Sequence, residues 1–179
     1  MLPDARSVPR ALLITGTVGV GKTSVADAVG ALLTDAGIPN AVMDLDRLCQ
    51  SWPVSAGDSF NFDMLLRNLR CVAGNYLDAG ATRLVLAGVA ESRAERKRYQ
   101  EAVGTDLVVC RLRAHLPTVR QRLAHRHGDD RSALRWHLNR AGELDRILDQ
   151  ARVEDFAVDA TDSSVTATAA AVLRAVGWR

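Results

Sequence analysis

One stretch near the amino terminus constrains the fold more than any other part of the chain. It reads Gly16-Thr17-Val18-Gly19-Val20-Gly21-Lys22-Thr23 and fits the pattern GxxxxGK[ST] at every fixed position. An apolar run at 11–15 precedes it and an amphipathic stretch at 24–33 follows it, which is the strand–loop–helix context that this pattern requires. A glycine-rich turn without a ligand is the alternative, but motif and context together favour a phosphate-binding loop.

The chemistry of phosphate binding explains the residue types in this stretch. Glycines let the backbone wrap so that successive N–H groups point at phosphate oxygens, and the following helix adds the positive end of its dipole. Lys22 is predicted to bridge the β- and γ-phosphates of ATP, and the Thr23 hydroxyl to ligate Mg²⁺. The residues that we expect to bind the nucleotide here are Gly16, Thr17, Val18, Gly19, Val20, Gly21, Lys22, Thr23 and Ser24.

The composition excludes several classes of protein. The chain has 179 residues, of which 47% are hydrophobic and 25% charged, and this favours a single domain over residues 1–179. The formal net charge is only +2 and no basic stripe is evident, so we expect no nucleic-acid partner. No apolar stretch reaches membrane length, and the three cysteines form no CxxC pair. We therefore expect a cytoplasmic protein with no membrane partner; its oligomeric state stays open.

Short apolar runs alternate with helical patterns along the whole chain. The runs lie at 11–15, 41–43, 83–87, 107–112 and 156–158. Between and after them, helical patterns occupy 24–33, 63–77, 94–103, 118–126, 131–152 and 165–176. Buried runs that alternate with helices indicate β-α units, and therefore an α/β fold in which helices flank both faces of a five-stranded parallel sheet.

Two aspartates, Asp44 and Asp46, come directly after the second predicted strand. Ligands of open α/β sheets bind at the carboxyl ends of the strands. A carboxylate there can accept the proton of an attacking hydroxyl or position that hydroxyl for phosphoryl transfer. If the strand continues, both side chains point to the same side, one toward the phosphates and one toward the substrate. A helix N-cap or an exposed loop acid is the alternative for each residue.

Aromatic residues are scarce, at 4% of the chain, yet three follow these aspartates closely. Trp52, Phe60 and Phe62 are predicted to form the wall of an apolar substrate pocket, in a substrate-side segment at about 44–63. The alternative is that they pack a helix against the core. Asp63 is predicted to cap the helix that follows.

An arginine cluster after the fourth predicted strand suggests a lid at about 120–135. Arg122 and Arg126 are four residues apart, so a helix places them on one face. Guanidinium groups on a lid can spread the charge of a transferring phosphoryl group. The nearby His125 and His127 lack a third ligand at metal spacing, so a polar lid surface is favoured over a metal site.

With these motifs in place, the chain resembles the small P-loop kinases, most closely the chloramphenicol phosphotransferase-like group. Adenylylsulfate, gluconate and shikimate kinases are wider relatives in this resemblance. It extends over nearly the whole chain and rests on the loop at 16–23, the segment at 46–53, the arginine-containing segment at 122–129 and Val-Asp-Ala-Thr at 158–161. The resemblance implies a P-loop kinase fold and an ATP-dependent phosphotransferase.

The resemblance also implies roles for individual residues. Asp46 corresponds to the base proposed for the family, and Arg122 and Arg126 to lid charges. The loop with Asp159 and Thr161 corresponds to the family's late loop near the adenine. One departure concerns the third strand, because chloramphenicol kinases carry acidic residues at its end, where this chain has Ala87 and Gly88.

Three functions compete on these grounds. The first is a kinase that uses ATP and Mg²⁺ to phosphorylate a hydroxyl of a small molecule such as an antibiotic, a nucleoside or a sugar. The second is a nucleotide-binding or weak ATPase module that acts through a protein partner, and the missing third-strand acid favours it. The third, a polynucleotide-end kinase, is disfavoured because the net charge is small and a basic groove is absent. Asp46 and the arginine cluster favour the small-molecule kinase.

Overall fold

The sheet is the framework on which every functional element is placed. The structure, a computed structural model, describes residues 10–54, 56–58, 60–127 and 130–178. Its five strands are β1 (Arg10–Thr15), β2 (Asn40–Asp44), β3 (Arg83–Ala87), β4 (Asp106–Arg113) and β5 (Phe156–Asp159). All pairs are parallel and the order is β2-β3-β1-β4-β5. The prediction of a five-stranded parallel sheet is confirmed, with each strand within one residue of the predicted limits.

Seven helices connect and follow the strands within the described residues. They are α1 (Lys22–Asp35), α2 (Leu45–Leu48), α3 (Phe62–Asp78), α4 (Arg93–Val103), α5 (Leu116–His127), α6 (Arg131–Ala151) and α7 (Val165–Val176). Six of these were predicted from periodicity. The sequence prediction missed α2, because four residues are too few to establish a helical period.

The helices pack on both faces of the sheet, as predicted. On one face, α1 and α7 cover apolar side chains of β1, β3 and β4, among them Leu12, Ile14 and Val85. On the other face, α3, α4 and α6 cover Leu13, Leu86 and Val109. Alternate residues of the same strands serve the two cores because successive strand side chains point to opposite faces.

The strand order creates a crevice at the carboxyl end of β1. The chain leaves β1 toward β2 through α1, whereas it later crosses from β3 to β4 on the opposite side of β1. Connections that diverge in this way open a crevice at the carboxyl ends of the strands, where ligands of such sheets bind. The loop at 16–21 begins directly at this point.

A buried arginine fixes α6 to the sheet. Arg111 of β4 is 1% exposed, and its guanidinium donates to Asp149 Oδ1 at 2.8 Å and to Asp145 Oδ1 at 2.9 Å on α6. A buried charge is tolerated only when it is paired, so these contacts hold α6 at a defined position over β4. Within the described residues, no helix is long and apolar enough to cross a bilayer.

Candidate functional site

The loop between β1 and α1 has a backbone that favours glycine at three points, Gly16, Gly19 and Gly21. Gly16 has φ 148° and Gly19 has φ 80°, both on the side that L-residues rarely adopt. A Cβ on Gly16 would lie 2.6 Å from the Leu112 carbonyl oxygen, and one on Gly19 would lie 2.8 Å from Leu123 Cγ. The glycines therefore allow both the turn and the close packing of the loop on β4 and α5.

The lysine of the loop lies against the loop's own backbone. Lys22 Nζ donates to the carbonyl oxygens of Gly16 and Thr17, each at 3.1 Å. The ammonium is thus held beside the loop, which is the position from which it could reach bound phosphates. The α1 helix begins at Lys22, and Gly21 before it provides no side-chain cap to the first turn.

The Thr17 side chain points away from the concave side of the loop. Its hydroxyl donates to the carbonyl oxygen of Ala141 on α6 at 2.6 Å, and Thr17 is 4% exposed. A contact of Thr17 with a nucleotide would therefore involve its backbone. The hydrogen bond ties the loop to α6 across 124 positions of the chain.

The end of β2 lies directly beside the loop. Thr23 Oγ1 donates to Asp44 Oδ2 at 3.1 Å, and Asp44 Oδ1 accepts from the Asp46 backbone N–H at 3.0 Å. The strand does not continue past Asp44, so the condition for both aspartate side chains to point to the same side is not met. Asp44 is the N-cap of α2, which is the alternative given for this residue. Asp46 is exposed in the first turn of α2.

The oxygens of Thr23 and Asp44 fit a magnesium site. Hydroxyl and carboxylate oxygens are the ligands that Mg²⁺ takes, and the ion usually completes its shell with water and substrate phosphates. Among the described residues, no group of three or more His, Cys, Asp or Glu side chains could hold a metal by itself. The residues present therefore suit an ion shared with a nucleotide.

The departure at the end of β3 has a steric cause. A Cβ on Gly88 would lie 2.6 Å from Leu45 Cδ1, and Leu45 is fully buried in α2. An acidic side chain at position 88 would therefore collide with α2. A carboxylate does occur three residues later, at Glu91. It pairs with Arg140 of α6. Arg140 also donates to Glu143 Oε2 at 2.9 Å.

The three aromatic residues of the substrate-side segment have different surroundings. Phe62 is half-buried and packs edge-on against Tyr99 of α4, with ring centroids 5.3 Å apart. Trp52 is 92% exposed and Phe60 is 63% exposed. The helix-packing alternative thus holds for Phe62. The Phe60 ring lies 5.5 Å from the Arg140 guanidinium carbon.

The start of α3 differs from the prediction. Asp63 is not its N-cap; that position is Asn61, which has φ 51° and makes no side-chain cap. The capping carboxylate is Asp58, which accepts from the N–H groups of Phe62 and Asp63 at 2.8 and 2.9 Å. These hydrogen bonds hold the pKa of Asp58 below its usual value. The Asp63 carboxylate instead pairs with Arg98 at 2.5 Å.

Arg122 of α5 forms a link between the loop and the segment after β5. Its guanidinium donates to the carbonyl oxygens of Val20 at 3.1 Å, Ala160 at 2.7 Å and Thr161 at 3.3 Å. It is half-buried and is not an exposed lid residue in this structure. Its role as a charge on a transferring phosphoryl group stays a prediction. The Arg126 side chain lies outside the described residues, as do positions 128 and 129 of the predicted lid.

The segment after β5 is held in shape by its own hydrogen bonds. Asp159 Oδ1 accepts from the Thr161 N–H at 2.7 Å, which lowers the pKa of Asp159. Thr161 Oγ1 accepts from the His115 N–H at 3.1 Å. With the Arg122 link, these contacts place Asp159 and Thr161 beside α5 and close to the loop.

The sequence prediction missed Glu91, Arg140 and the inward hydroxyl of Thr17. Glu91 had a signal, since it is an acid within four residues of the end of a predicted strand. Arg140 had none, because it is one of many arginines on predicted helices. The structure brings the loop, Asp44, Asp46 and the Glu91–Arg140 pair to one edge of the sheet.

The sequence matches no family model and no curated protein. The fold does match solved structures. The tunicamycin resistance protein of Deinococcus radiodurans has a TM-score of 0.64 and 20% identity, with 95% of this chain and 96% of that chain covered. Shikimate kinase from Acinetobacter baumannii in complex with shikimate has a TM-score of 0.62 and 16% identity, with 97% of this chain and 95% of that chain covered. The Mycobacterium tuberculosis APS kinase in complex with AMPPNP and APS has a TM-score of 0.62 and 22% identity, with 95% of this chain and 98% of that chain covered. The resemblance read from the sequence is confirmed at the level of architecture: this chain has the fold of the small P-loop kinases.

Proposed function

We propose that the chain is a kinase that transfers the γ-phosphoryl group of ATP to a hydroxyl of a small molecule. The observation that carries the proposal is the 3.1 Å hydrogen bond between Thr23 and Asp44. It joins Thr23, the proposed cation ligand of the loop, to the turn that bears Asp46. A proposed phosphate site and a candidate base are thereby adjacent, which is the arrangement that phosphoryl transfer to an acceptor requires.

The nucleotide side is proposed to consist of the loop, the start of α1 and the segment after β5. Backbone N–H groups of residues 16–24 and the Lys22 ammonium would hold the phosphates. Thr23, with Asp44 behind it, would hold Mg²⁺, which when bound neutralises charge on the β- and γ-phosphates. The loop with Asp159 and Thr161 would lie against the nucleoside, and Arg122 would fix that loop relative to the phosphates.

The acceptor side is proposed to use Asp46 as general base. The acceptor oxygen forms a bond to the γ-phosphorus while the bond from that phosphorus to the β–γ bridging oxygen breaks, and ADP leaves. The proton of the acceptor hydroxyl passes to the Asp46 carboxylate. Lys22, and Arg122 and Arg126 if the lid segment closes, would stabilise the charge that develops on the transferred group.

The activities named for the structural neighbours support this proposal. Two of them are kinases of small molecules, and the structures hold shikimate in one case and AMPPNP with APS in the other. Identities of 16% and 22% carry the fold and not the acceptor, so the acceptor class has to come from this chain's own residues.

The test is a mass-shift screen of the purified chain with Mg-ATP and hydroxylated antibiotics, nucleosides and sugars. Lys22→Ala and Asp46→Asn are assayed beside matched controls. Lys97→Ala removes the only other lysine, which is exposed on α4, and Asp27→Asn removes an exposed carboxylate of α1. We expect an acceptor that gains one phosphoryl group, a rate at least about a hundredfold lower in Asp46→Asn, and unchanged controls.

Two outcomes would contradict parts of the proposal. Transfer that is unaffected by Asp46→Asn would remove Asp46 as the base while leaving the kinase. ATP binding that depends on Lys22, with no phosphorylated acceptor, would favour the alternative of a nucleotide-binding module that acts through a protein partner.

A further inference from the structure

A second cavity lies between α4 and the residues that precede β5. It has a volume of about 410 Å³, and the charged side chains that line it are Glu154, Asp155, Arg93, Arg96, Lys97 and Arg152. Arg152 caps the end of α6, whereas Ala141 is the residue of that helix that contacts the phosphate loop. At about 1.5 Å of rise per residue, roughly 16 Å of helix separates the two. The cavity is therefore distinct from the phosphate loop.

Most of these charges are already compensated by a partner. Arg96 Nη2 donates to both carboxylate oxygens of Asp155, at 2.9 and 2.8 Å. Lys97 Nζ lies 3.9 Å from Glu101 Oε1 in the same helix. Glu154 Oε1 lies 3.6 and 3.8 Å from two arginines of β4, and its other oxygen is buried. Both acidic residues and two of the four basic residues are thus paired.

The two remaining cations, Arg93 and Arg152, are uncompensated. Both are exposed, and within the part of the chain that the structure describes, neither side chain forms an ion pair or a hydrogen bond. Arg93 is the first residue of α4, where the positive end of the helix dipole disfavours a cation. The side chain of Gln100 adds an uncharged hydrogen-bonding group to the same cavity. The cavity thus presents two free guanidinium groups and an amide.

The backbone of Arg152 indicates that its side chain is not there for stability. Arg152 has φ 44° and ψ 57°, a left-handed conformation at the end of α6. Two other helices, α4 and α7, end in the same conformation on glycine, at Gly104 and Gly177. Glycine adopts this conformation without the steric cost that an L-residue incurs. The helix end would therefore favour glycine, and the guanidinium in the cavity gives the arginine another role.

We infer that this cavity binds a small molecule that carries a phosphate group. Two free guanidinium groups supply a charge of +2 and forked donors, which match the charge and oxygens of a phosphate monoester. An anion held there also compensates the cation at the start of α4. The cavity has the size of a small-molecule site rather than of a single ion, so we expect a phosphorylated metabolite rather than free phosphate. The inference does not depend on the proposed kinase activity.

The experiment compares three probes by calorimetry: glucose 6-phosphate, inorganic phosphate and glucose. They are titrated into the full chain with Mg²⁺ and AMPPNP present, so that the phosphate loop is not available to them. In the wild type we expect one site for glucose 6-phosphate with a Kd below about 1 mM, at least about threefold weaker binding of inorganic phosphate, and no binding of glucose. Arg93→Gln with Arg152→Gln should weaken glucose 6-phosphate binding at least about tenfold.

Two further variants separate a local effect from a general one. Arg67→Gln with Arg70→Gln removes two exposed arginines of α3, and therefore the same net charge, and should change the affinity less than about twofold. Arg152→Gly should weaken glucose 6-phosphate binding at least about threefold while raising Tm by about 2–4 °C, because glycine suits the left-handed backbone. A purely structural role of Arg152 would not move binding and stability in opposite directions.

Several results would overturn the inference. These are the absence of glucose 6-phosphate binding at millimolar concentration, glucose binding as tight as that of its phosphate, and binding that survives Arg93→Gln with Arg152→Gln. Inorganic phosphate that binds more tightly than glucose 6-phosphate would contradict the assignment to a phosphorylated metabolite. Calorimetry in this form involves no phosphoryl transfer, so its outcome is independent of the mass-shift screen.

Discussion

Replacing Arg122 tests whether it is a structural link or a lid charge. Its guanidinium donates three hydrogen bonds to backbone carbonyls, two of them at 2.7 and 3.1 Å, and these join α5 to the phosphate loop and to the segment after β5. A hydrogen bond to a charged group contributes about 1.5–3 kcal/mol, but bonds from one half-exposed side chain are not additive. We therefore expect Arg122→Met to lower the free energy of unfolding by about 2–3 kcal/mol.

Thermal unfolding and nucleotide titration measure the two consequences. For a chain of this size, about 2–3 kcal/mol corresponds to a decrease in Tm of roughly 5–10 °C. Nucleotide affinity should fall in the same variant, because the Val20 carbonyl fixes the phosphate loop. Arg120→Met is the matched control, since Arg120 is an exposed arginine of the same helix. It should change Tm by less than about 2 °C.

The reasoning would be refuted by a particular combination of results. If Arg122→Met unfolds at the wild-type temperature and binds AMPPNP normally, yet transfers phosphate slowly, then Arg122 acts only on the transferring group. The structure would then represent an open arrangement from which the side chain departs during turnover.

Three further predictions concern stability. Thr17→Val removes the buried hydroxyl that ties the loop to α6 and should cost about 1–2 kcal/mol in urea unfolding. Thr34→Val is the control on an exposed residue, whose hydroxyl donates to the Gly30 carbonyl and accepts from Asn40, and it should cost less than about 0.5 kcal/mol; equal effects would contradict the link. Gly88→Ala should destabilise the fold by about 1–3 kcal/mol, because the added Cβ collides with Leu45 of α2. Gly74→Ala is the control: its added Cβ would meet no atom within 4 Å, and it should stabilise α3 by about 0.5–1 kcal/mol. A Gly88→Ala variant as stable as the wild type would refute the steric argument. Asp58→Asn should destabilise the protein at pH 7, because the hydrogen bonds that the Asp58 carboxylate accepts from the first N–H groups of α3 lower its pKa in the folded state. The stabilisation that this shift represents is present above the unfolded pKa of about 3.9 and is lost as pH falls through the folded pKa. The difference between wild type and variant in urea unfolding should therefore shrink between pH 5 and about pH 2, and an unchanged difference would exclude the carboxylate as its source.

The architecture was predictable because its signals are local. Strand β3 was predicted at its observed limits, and the start and end of α7 were predicted to the residue. Apolar periodicity encodes such elements over 5–12 consecutive residues. Where the period is too short to read, prediction failed, as at α2, and the same short helix explains why Asp44 is a cap rather than one of two parallel strand side chains.

The helix caps illustrate the same limit on a smaller scale. Asp63 has the residue type and position of an N-cap, yet its carboxylate pairs with Arg98 of α4, which is 35 positions away. Asp58, five residues earlier, caps the helix, because its carboxylate accepts from the N–H groups of Phe62 and Asp63. The choice between two nearby aspartates depends on the path of the segment, and residue type does not specify that path.

The sequence by itself determined the phosphate loop and the order of the elements. The loop needs only its own eight consecutive residues, whose glycines set the backbone and whose single lysine is one of two in the chain. The tertiary structure decided the rest of the site. It paired Thr23 with Asp44 across 21 positions, Arg140 with Glu91 across 49 and Arg122 with Val20 across 102. Arg122 was predicted from its place in the arginine cluster after the fourth strand, but among 21 arginines residue type could not single out Arg140. Its position beside Glu91 follows only from the meeting of strand ends and helices at one edge of the sheet.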